Sequence, residues 1–361
     1  MKIKHIALAA LLSSTAMISN SANAQLTITG YTEANYVTGS SKGALSTAFA
    51  PLNGGWDASS TANTNIAPSA HMGNETQIRF TTTHTIPGGL KAQAMAELRR
   101  SAQVWEEREV RLGAADDSWV VFAGSDFQRG IETVRTINPT VNNRVTDIVG
   151  SSIGLSDVID SSSANNYFGF ALPKLGPGHL SFSHMPNSLD TRAHGSDEGS
   201  SAVGTNAGES RTSIGYAATI GPVTVGVGAL KGENRSSSTT KNDSEAFTIG
   251  ARYVAGPFGV GFQFHDQEVA TAVAAETTQK QKTLSATYAL TKEVSVGYAK
   301  TKAEQVVAGA KMAGEIDQDL IQAAYNLGPA VIQADYVSAD NAQYISGTEI
   351  KAAKIKLKVN F

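Results

Sequence analysis

The sequence predicts an all-β fold: a closed antiparallel barrel of about sixteen strands that spans a membrane. Apolar and polar residues alternate through most of the chain after residue 25, and a period of two indicates β-strands. The connections between these segments are short and long in turn. Charged residues recur on the face that a soluble protein would have to bury in its core. Burying unpaired charges costs too much free energy for such a core to be stable. In lipid every backbone polar group must be paired within the protein, so such a sheet has to close.

The last segment, 351–361, shows the alternation most clearly. One face carries Ala353, Ile355, Leu357, Val359 and Phe361, and the other carries Lys354, Lys356, Lys358 and Asn360. Three lysines on one face are incompatible with a packed core. The segment therefore predicts a strand with lipid on one side and water on the other.

The first 24 residues predict a cleaved signal peptide. Lys2 and Lys4 form a basic start, an apolar run follows at 6–12, and Ala22, Asn23 and Ala24 form a small-x-small cleavage site. The apolar run is far shorter than the ~20 residues that span a bilayer. We expect cleavage after Ala24, a mature chain that begins at Gln25, and one barrel domain over 25–361.

The composition limits the possible functions. The chain has no cysteine, which excludes disulfides, a thiolate nucleophile and cysteine-based metal sites. A net charge of −3 is not that of a nucleic-acid-binding surface. Charged residues make up 17% of the chain, below the ~25% of soluble domains. We expect no cofactor and no bound metal.

Sixteen segments show strand-like alternation. They are 25–36, 74–85, 89–100, 106–114, 118–124, 165–172, 179–185, 210–219, 222–231, 245–254, 257–266, 281–290, 293–301, 317–327, 329–338 and 349–361. Gly-Pro and Pro-Gly pairs mark several of the short connections as tight turns.

The long connections lie at 37–73, 125–164, 186–209, 232–244, 267–280, 302–316 and 339–348. Loops that are long on one side only are typical of a barrel with short periplasmic turns and long extracellular loops. Four tyrosines, Tyr216, Tyr253, Tyr288 and Tyr325, precede short turns on the apolar face, and Phe258 follows one. These rings predict an aromatic belt at one membrane interface.

Several short motifs resemble the general porins of Gram-negative bacteria. They are the segments 73–82 and 87–92, the segment 110–113 followed by 119–124 and a long loop, and the final residues 359–361. The resemblance implies an outer-membrane homotrimer whose barrels are water-filled channels for small hydrophilic solutes and ions. It also implies contact with outer-membrane lipid and lipopolysaccharide. In this family the assembly machinery is implied to recognise a carboxyl-terminal aromatic, here Phe361, on the strand that pairs with 25–36.

The family pattern further implies that the third long loop, 125–164, folds into the lumen and faces basic residues on the wall. The candidate loop residues are Asp126, Arg129, Glu132, Arg135, Arg144, Asp147, Asp157 and Asp160. The two-residue alternation of each strand assigns these basic residues to the inner wall: Arg79, Lys91, Arg99, Arg111, Lys354, Lys356 and Lys358. The sequence departs from the family at Gln77, where relatives often carry an arginine, and Arg79 lies two residues later.

Two alternatives remain at this point. The long loop 37–73 is compatible with an adhesin or receptor, or with a channel for a specific solute. A hydrolase needs a nucleophile and a base within reach; His184 lies near Ser181 and Ser183, although in a serine-rich chain chance proximity is the simpler interpretation. The sequence does not predict the sign of ion selectivity, the preferred solute or voltage gating.

Overall fold

The computed structural model describes residues 24–43, 69–99, 104–125, 130–131, 134, 166–185, 208–235, 241–270 and 276–361. These residues form seventeen strands. The strands are β1 Ala24–Lys42, β2 Ser69–Ile86, β3 Leu90–Arg99, β4 Val104–Ala114, β5 Val120–Ser125, β6 Asn166–Leu175, β7 Gly178–Met185, β8 Gly208–Ile220, β9 Val223–Arg235, β10 Lys241–Ala255, β11 Phe258–Ala270, β12 Glu276–Ala289, β13 Val294–Val307, β14 Ala310–Lys311, β15 Ile316–Asn326, β16 Ala330–Asp340 and β17 Glu349–Asn360. A short 3-10 helix, Ala342–Tyr344, lies between β16 and β17.

The strands close into one antiparallel barrel. Strand β14 has only two residues and extends a hairpin, and β13 pairs directly with β15, so sixteen strands go round the wall. Strand β1 pairs with β2 on one side and with β17 on the other, from Tyr31 opposite Asn360 to Lys42 opposite Glu349. Backbone hydrogen bonds between Gly30 and Phe361 complete the seam. The predicted barrel and its closure are confirmed. Within the described residues, no helix has the length and apolar character needed to cross a membrane.

The two faces of the wall differ as the alternation predicts. Outward side chains are large and apolar, and many are exposed, among them Phe258, Leu284, Ile321 and Ile355. Most inward side chains are polar, charged or small, and the exceptions include Ile316, Leu320 and Val337 near the long-loop end of β15 and β16. On β17 the three lysines point inward, opposite Glu33, Asn35 and Val37 of β1.

The short turns lie together at one end of the barrel. Gly221 and Gly256 occupy two of them with φ angles of 59° and 57°, a left-handed conformation that favours glycine. The predicted aromatic belt lies just above these turns. The rings of Phe258 and Tyr288 meet edge to face at 5.0 Å, and Tyr253 on β10 and Tyr325 on β15 are also exposed.

At the long-loop end the strands run further than the alternation predicts. Strands β9 and β10 continue to Arg235 and from Lys241, and β13 continues to Val307. In β9 and β10 the extensions are polar at successive positions of the sequence, from Glu233 to Arg235 and from Lys241 to Ser244. Without a difference between the faces, the sequence shows no alternation, although the backbone still pairs.

Candidate functional site

The inner wall of β2 and β3 carries a buried carboxylate under an arginine. Glu97 is fully buried, and its Oε2 accepts hydrogen bonds from Arg79, 2.9 Å from Nε and 2.6 Å from Nη2. The amide of Gln77 donates to the other carboxylate oxygen. The Arg79 side chain stays 41% exposed. Gln77 and Arg79, the positions where the chain departs from the family pattern, thus hold the same acid.

Strand β4 repeats this arrangement. The carboxylate of Glu109 is buried and accepts hydrogen bonds from the Arg111 guanidinium and from the hydroxyl of Tyr167, the latter at 2.5 Å. The Arg111 side chain is 32% exposed. Both sites place the negative charge against the wall and the positive charge towards the lumen. Because Arg111 lies opposite Gln93 and Gln93 opposite Thr83, it is four residues nearer the short-turn end than Arg79.

The basic candidates on β17 are more enclosed. Lys354 and Lys356 are buried, and Lys356 Nζ lies 3.7 Å from the Glu33 carboxylate. The ammonium group of Lys358 lies 3.4 Å from the centre of the Tyr31 ring, a cation–π contact.

The remaining wall candidates lie away from these groups. Lys91 is ion-paired with Asp117 in a short turn, and Arg99 is the last residue of β3 at the long-loop end. Gln25 pairs with Thr83 of β2. The contribution of Lys91 and Arg99 to conduction stays a prediction, as does that of Gln25 to barrel closure.

Part of the third loop lies against the inner wall. Gly130, Ile131 and Val134 are helical and buried, and the amide groups of Gly130 and Ile131 donate to the hydroxyls of Ser183 and Ser213, each at 3.3 Å. The eight charged residues proposed for this loop lie outside the described residues.

Small inward residues on three neighbouring strands make room for this loop segment. Ser183 and Ser213 contact each other at 3.1 Å, and a Cβ on Gly228 would lie 2.7 Å from Ile131 Cγ1. The alternation places these three positions on the inner face but does not predict their contact with the loop. All three are small residues at inward-facing positions of the neighbouring strands β7, β8 and β9. Such a row of small residues in the sequence indicates where a loop can pack against the wall.

The inner wall of β11–β16 is mostly uncharged and polar. Thr283 and Thr301 are hydrogen-bonded at 3.0 Å, and the amides of Gln322 and Gln333 donate to Asp335 at 3.1 and 2.8 Å. The lumen is therefore lined by amides and hydroxyls on one side and by charge pairs on the other. A lining of this kind suits water and hydrophilic solutes.

The suggested serine–histidine pair is not formed. Ser181 and Ser183 face the lumen, whereas His184 faces outward, where its Nδ1 lies 2.8 Å from the Thr212 hydroxyl and its ring packs on Phe168. Within the residues that the structure describes, no three potential metal ligands cluster.

Comparisons with known proteins agree with this geometry. A sequence profile of Gram-negative porins matches residues 7–360, and no curated protein matches the sequence. The anion-selective porin of Comamonas acidovorans is 13% identical with a TM-score of 0.65, over 94% of this chain and 100% of that chain. The OmpT of Vibrio cholerae is 11% identical with a TM-score of 0.64, over 94% of this chain and 99% of that chain.

The OmpF of Salmonella typhi, solved in complex with daunomycin, is 11% identical with a TM-score of 0.63, over 95% of this chain and 99% of that chain. At these identities the structures share the fold. The profile match gives no support to the adhesin or receptor alternative. Because the profile covers nearly the whole sequence, the chain belongs to the Gram-negative porin family and is an outer-membrane channel for passive diffusion.

Proposed function

We propose that this channel passes small hydrophilic solutes and ions through each barrel of a homotrimer and has no enzymatic activity. The observation that carries the proposal is the inner wall, where arginine–glutamate pairs face a wall of amides and hydroxyls. Planar-bilayer recording tests it. Stepwise conductance that increases in units of three is expected, and a folded barrel without conductance would refute it.

The ion selectivity depends on how each arginine–glutamate pair is oriented in the wall. Arg79 and Arg111 reach into the lumen above buried carboxylates, so a permeating ion meets the guanidinium first. Rings of charge bias a pore by sign. We propose that the two arginines raise the preference for anions. The sign of the whole channel also depends on the charged residues of the third loop.

The test compares a variant that lacks both arginines with a control variant that lacks one lysine elsewhere in the chain. In a KCl gradient, Arg79→Gln with Arg111→Gln should move the reversal potential towards cation preference. Lys292→Gln, which removes a lysine exposed in the short turn between β12 and β13, should leave it nearly unchanged. An unchanged potential in the double variant would contradict the assignment.

Export and assembly complete the proposal. Cleavage of the signal peptide after Ala24 would leave Gln25, which pairs with Thr83 of β2, as the first residue of the barrel. The Phe361 ring is 58% exposed beside Gly30 at the barrel seam, where the outer-membrane assembly machinery could read it. Outward apolar residues and the belt would contact outer-membrane lipid and lipopolysaccharide. Mass spectrometry of the purified protein tests the cleavage site.

A further inference from the structure

The last extracellular connection, residues 341–348, turns into the barrel. Its Tyr344 is 2% exposed, and the amide of Gln279 on β12 donates a hydrogen bond to the tyrosine hydroxyl. Three strand spacings separate β12 from β16, where the loop begins, a distance of about 14 Å along the wall. The loop therefore crosses the inner surface instead of standing above it.

An apolar cluster on the inner wall lies beneath this loop. The wall contributes leucine, isoleucine, valine and alanine side chains from β13, β15, β16 and β17, and each is at most 2% exposed. The members are Ala299, Ala303, Ile316, Leu320, Val337, Ala339, Ala342, Tyr344, Ile350 and Ala352. Exposing such residues to a water-filled lumen is unfavourable by roughly 25 cal/mol per Å² of apolar area. Their burial stabilises the inward position of the loop.

The loop backbone is held tightly in this position. Asn341, Gln343 and Tyr344 have φ angles of 55°, 58° and 59°, a left-handed conformation that is unfavourable for residues other than glycine. The amide of Gly314 donates to the Tyr344 carbonyl at 2.9 Å, and the amide of Asn341 donates to the Thr348 carbonyl at 2.7 Å. Strained conformations persist where the surroundings determine them and are concentrated at functional positions.

We infer that residues 341–348, through Tyr344, form a second constriction of the channel that limits the size of neutral hydrophilic solutes. The inference rests on the proposed function. This constriction covers β12, β13, β15, β16 and β17, whereas the third-loop segment contacts β7–β9. Residues 341–348 include no charged side chain. The loop therefore selects by size, and the arginine–glutamate pairs act separately on charge.

The strand register suggests a clean test. Asp340 and Glu349 lie directly opposite each other, so an Asn-Gly pair can replace residues 341–348 as a two-residue hairpin turn. The loop lies over five of the sixteen strands of the wall, so its removal should widen the pore and raise single-channel conductance. Trisaccharides should enter proteoliposomes faster in swelling assays, while the reversal potential in a KCl gradient should not move.

Point variants separate the loop from general damage to the barrel. Tyr344→Ala should change conductance and sugar uptake in the same direction as the loop replacement. Tyr336→Ala removes a tyrosine from the outward face of β16 and should leave both unchanged. A folded loop replacement with unaltered conductance and sugar uptake would overturn the inference. A wild-type barrel without conductance would instead refute the proposed function.

Discussion

At the scale of single residues, the inner wall places carboxylates behind guanidinium groups. Glu97 and Glu109 are buried while their arginine partners remain partly exposed. A charge-assisted hydrogen bond of this kind holds a long side chain in one direction. The arginine is thereby fixed where a permeating ion passes, and its field is only partly cancelled by the acid behind it.

Removing one buried acid should therefore make the channel more selective for anions. In Glu97→Gln the Arg79 charge loses its counter-charge, and the new amide keeps the shape of the side chain. We expect the reversal potential in a KCl gradient to move towards anion preference. The folded barrel should lose about 1–3 kcal/mol of stability, because hydrogen bonds to the carboxylate are weakened.

The control for this variant is Glu293→Gln, which removes an acid from an exposed short turn. It should alter neither the reversal potential nor the thermal stability. A shift of the Glu97→Gln potential towards cations would show that the buried acid does not screen Arg79.

At the scale of elements, the docked last loop should respond to alkaline pH. Burial raises the pKa of Tyr344 above the usual range for tyrosine. A raised pKa means that docking is fully stabilised below the free value of about 10. This stabilisation is lost as the pH rises through the docked value, because the phenolate favours water. Conductance should then increase above about pH 10.

The matched variant for this titration is Tyr344→Phe, which keeps the ring and removes the titrating hydroxyl. The two proteins differ only in this hydroxyl, so the difference between their conductance profiles belongs to Tyr344. Identical profiles up to about pH 12 would contradict the assignment.

The packing of the third-loop segment on β9 gives a second prediction at the scale of elements. Gly228→Val would place methyl groups where Ile131 and Val134 now pack. Overpacking of this kind costs about 1–3 kcal/mol, so the loop should leave its seat more often. Trypsin should cut after Arg129 and Arg135 about tenfold faster.

The control is Ala229→Val, which adds two methyl groups on the outward face of the same strand. Its tryptic cleavage should match the wild type. Equal cleavage in Gly228→Val would mean that contact with Gly228 does not restrain the loop.

The elements differ in how well the sequence predicts them. Alternation predicts every strand that crosses the membrane, because lipid and water impose different residues on its faces. It does not predict the β13 extension to Val307 or the pair Ala310–Lys311, since water surrounds both faces there. It also does not predict the inward turn of Tyr344, which depends on long-range contacts with Gln279 and Gly314. For Arg79 and Arg111 parity predicts the direction of the side chain, but not the acid beneath it.

At the scale of the whole molecule, the outer surface has two kinds of face. Most of it carries exposed aromatic and branched side chains that suit lipid, such as Phe168, Phe262 and Tyr298. The outward face of β3 instead carries Ala92, Ala94 and Ala96, with Thr82 beside them, its hydroxyl 3.4 Å from the Ala94 carbonyl. Small side chains allow close approach of another wall, as they do between membrane helices. We therefore propose that β3 lies at the contact between the subunits of the homotrimer.

A bulky residue on this face should separate the subunits. Ala94→Trp would hold neighbouring walls apart, so the protein should migrate as a monomer in size-exclusion chromatography in mild detergent. Its bilayer insertions should add single conductance steps instead of triple ones. Ala323→Trp makes the same change on the outward face of β15, beside Ile321 and Tyr325. A tryptophan there should meet lipid and leave the trimer intact. If Ala94→Trp remains trimeric while Ala323→Trp becomes monomeric, the subunits meet at β15 and not at β3.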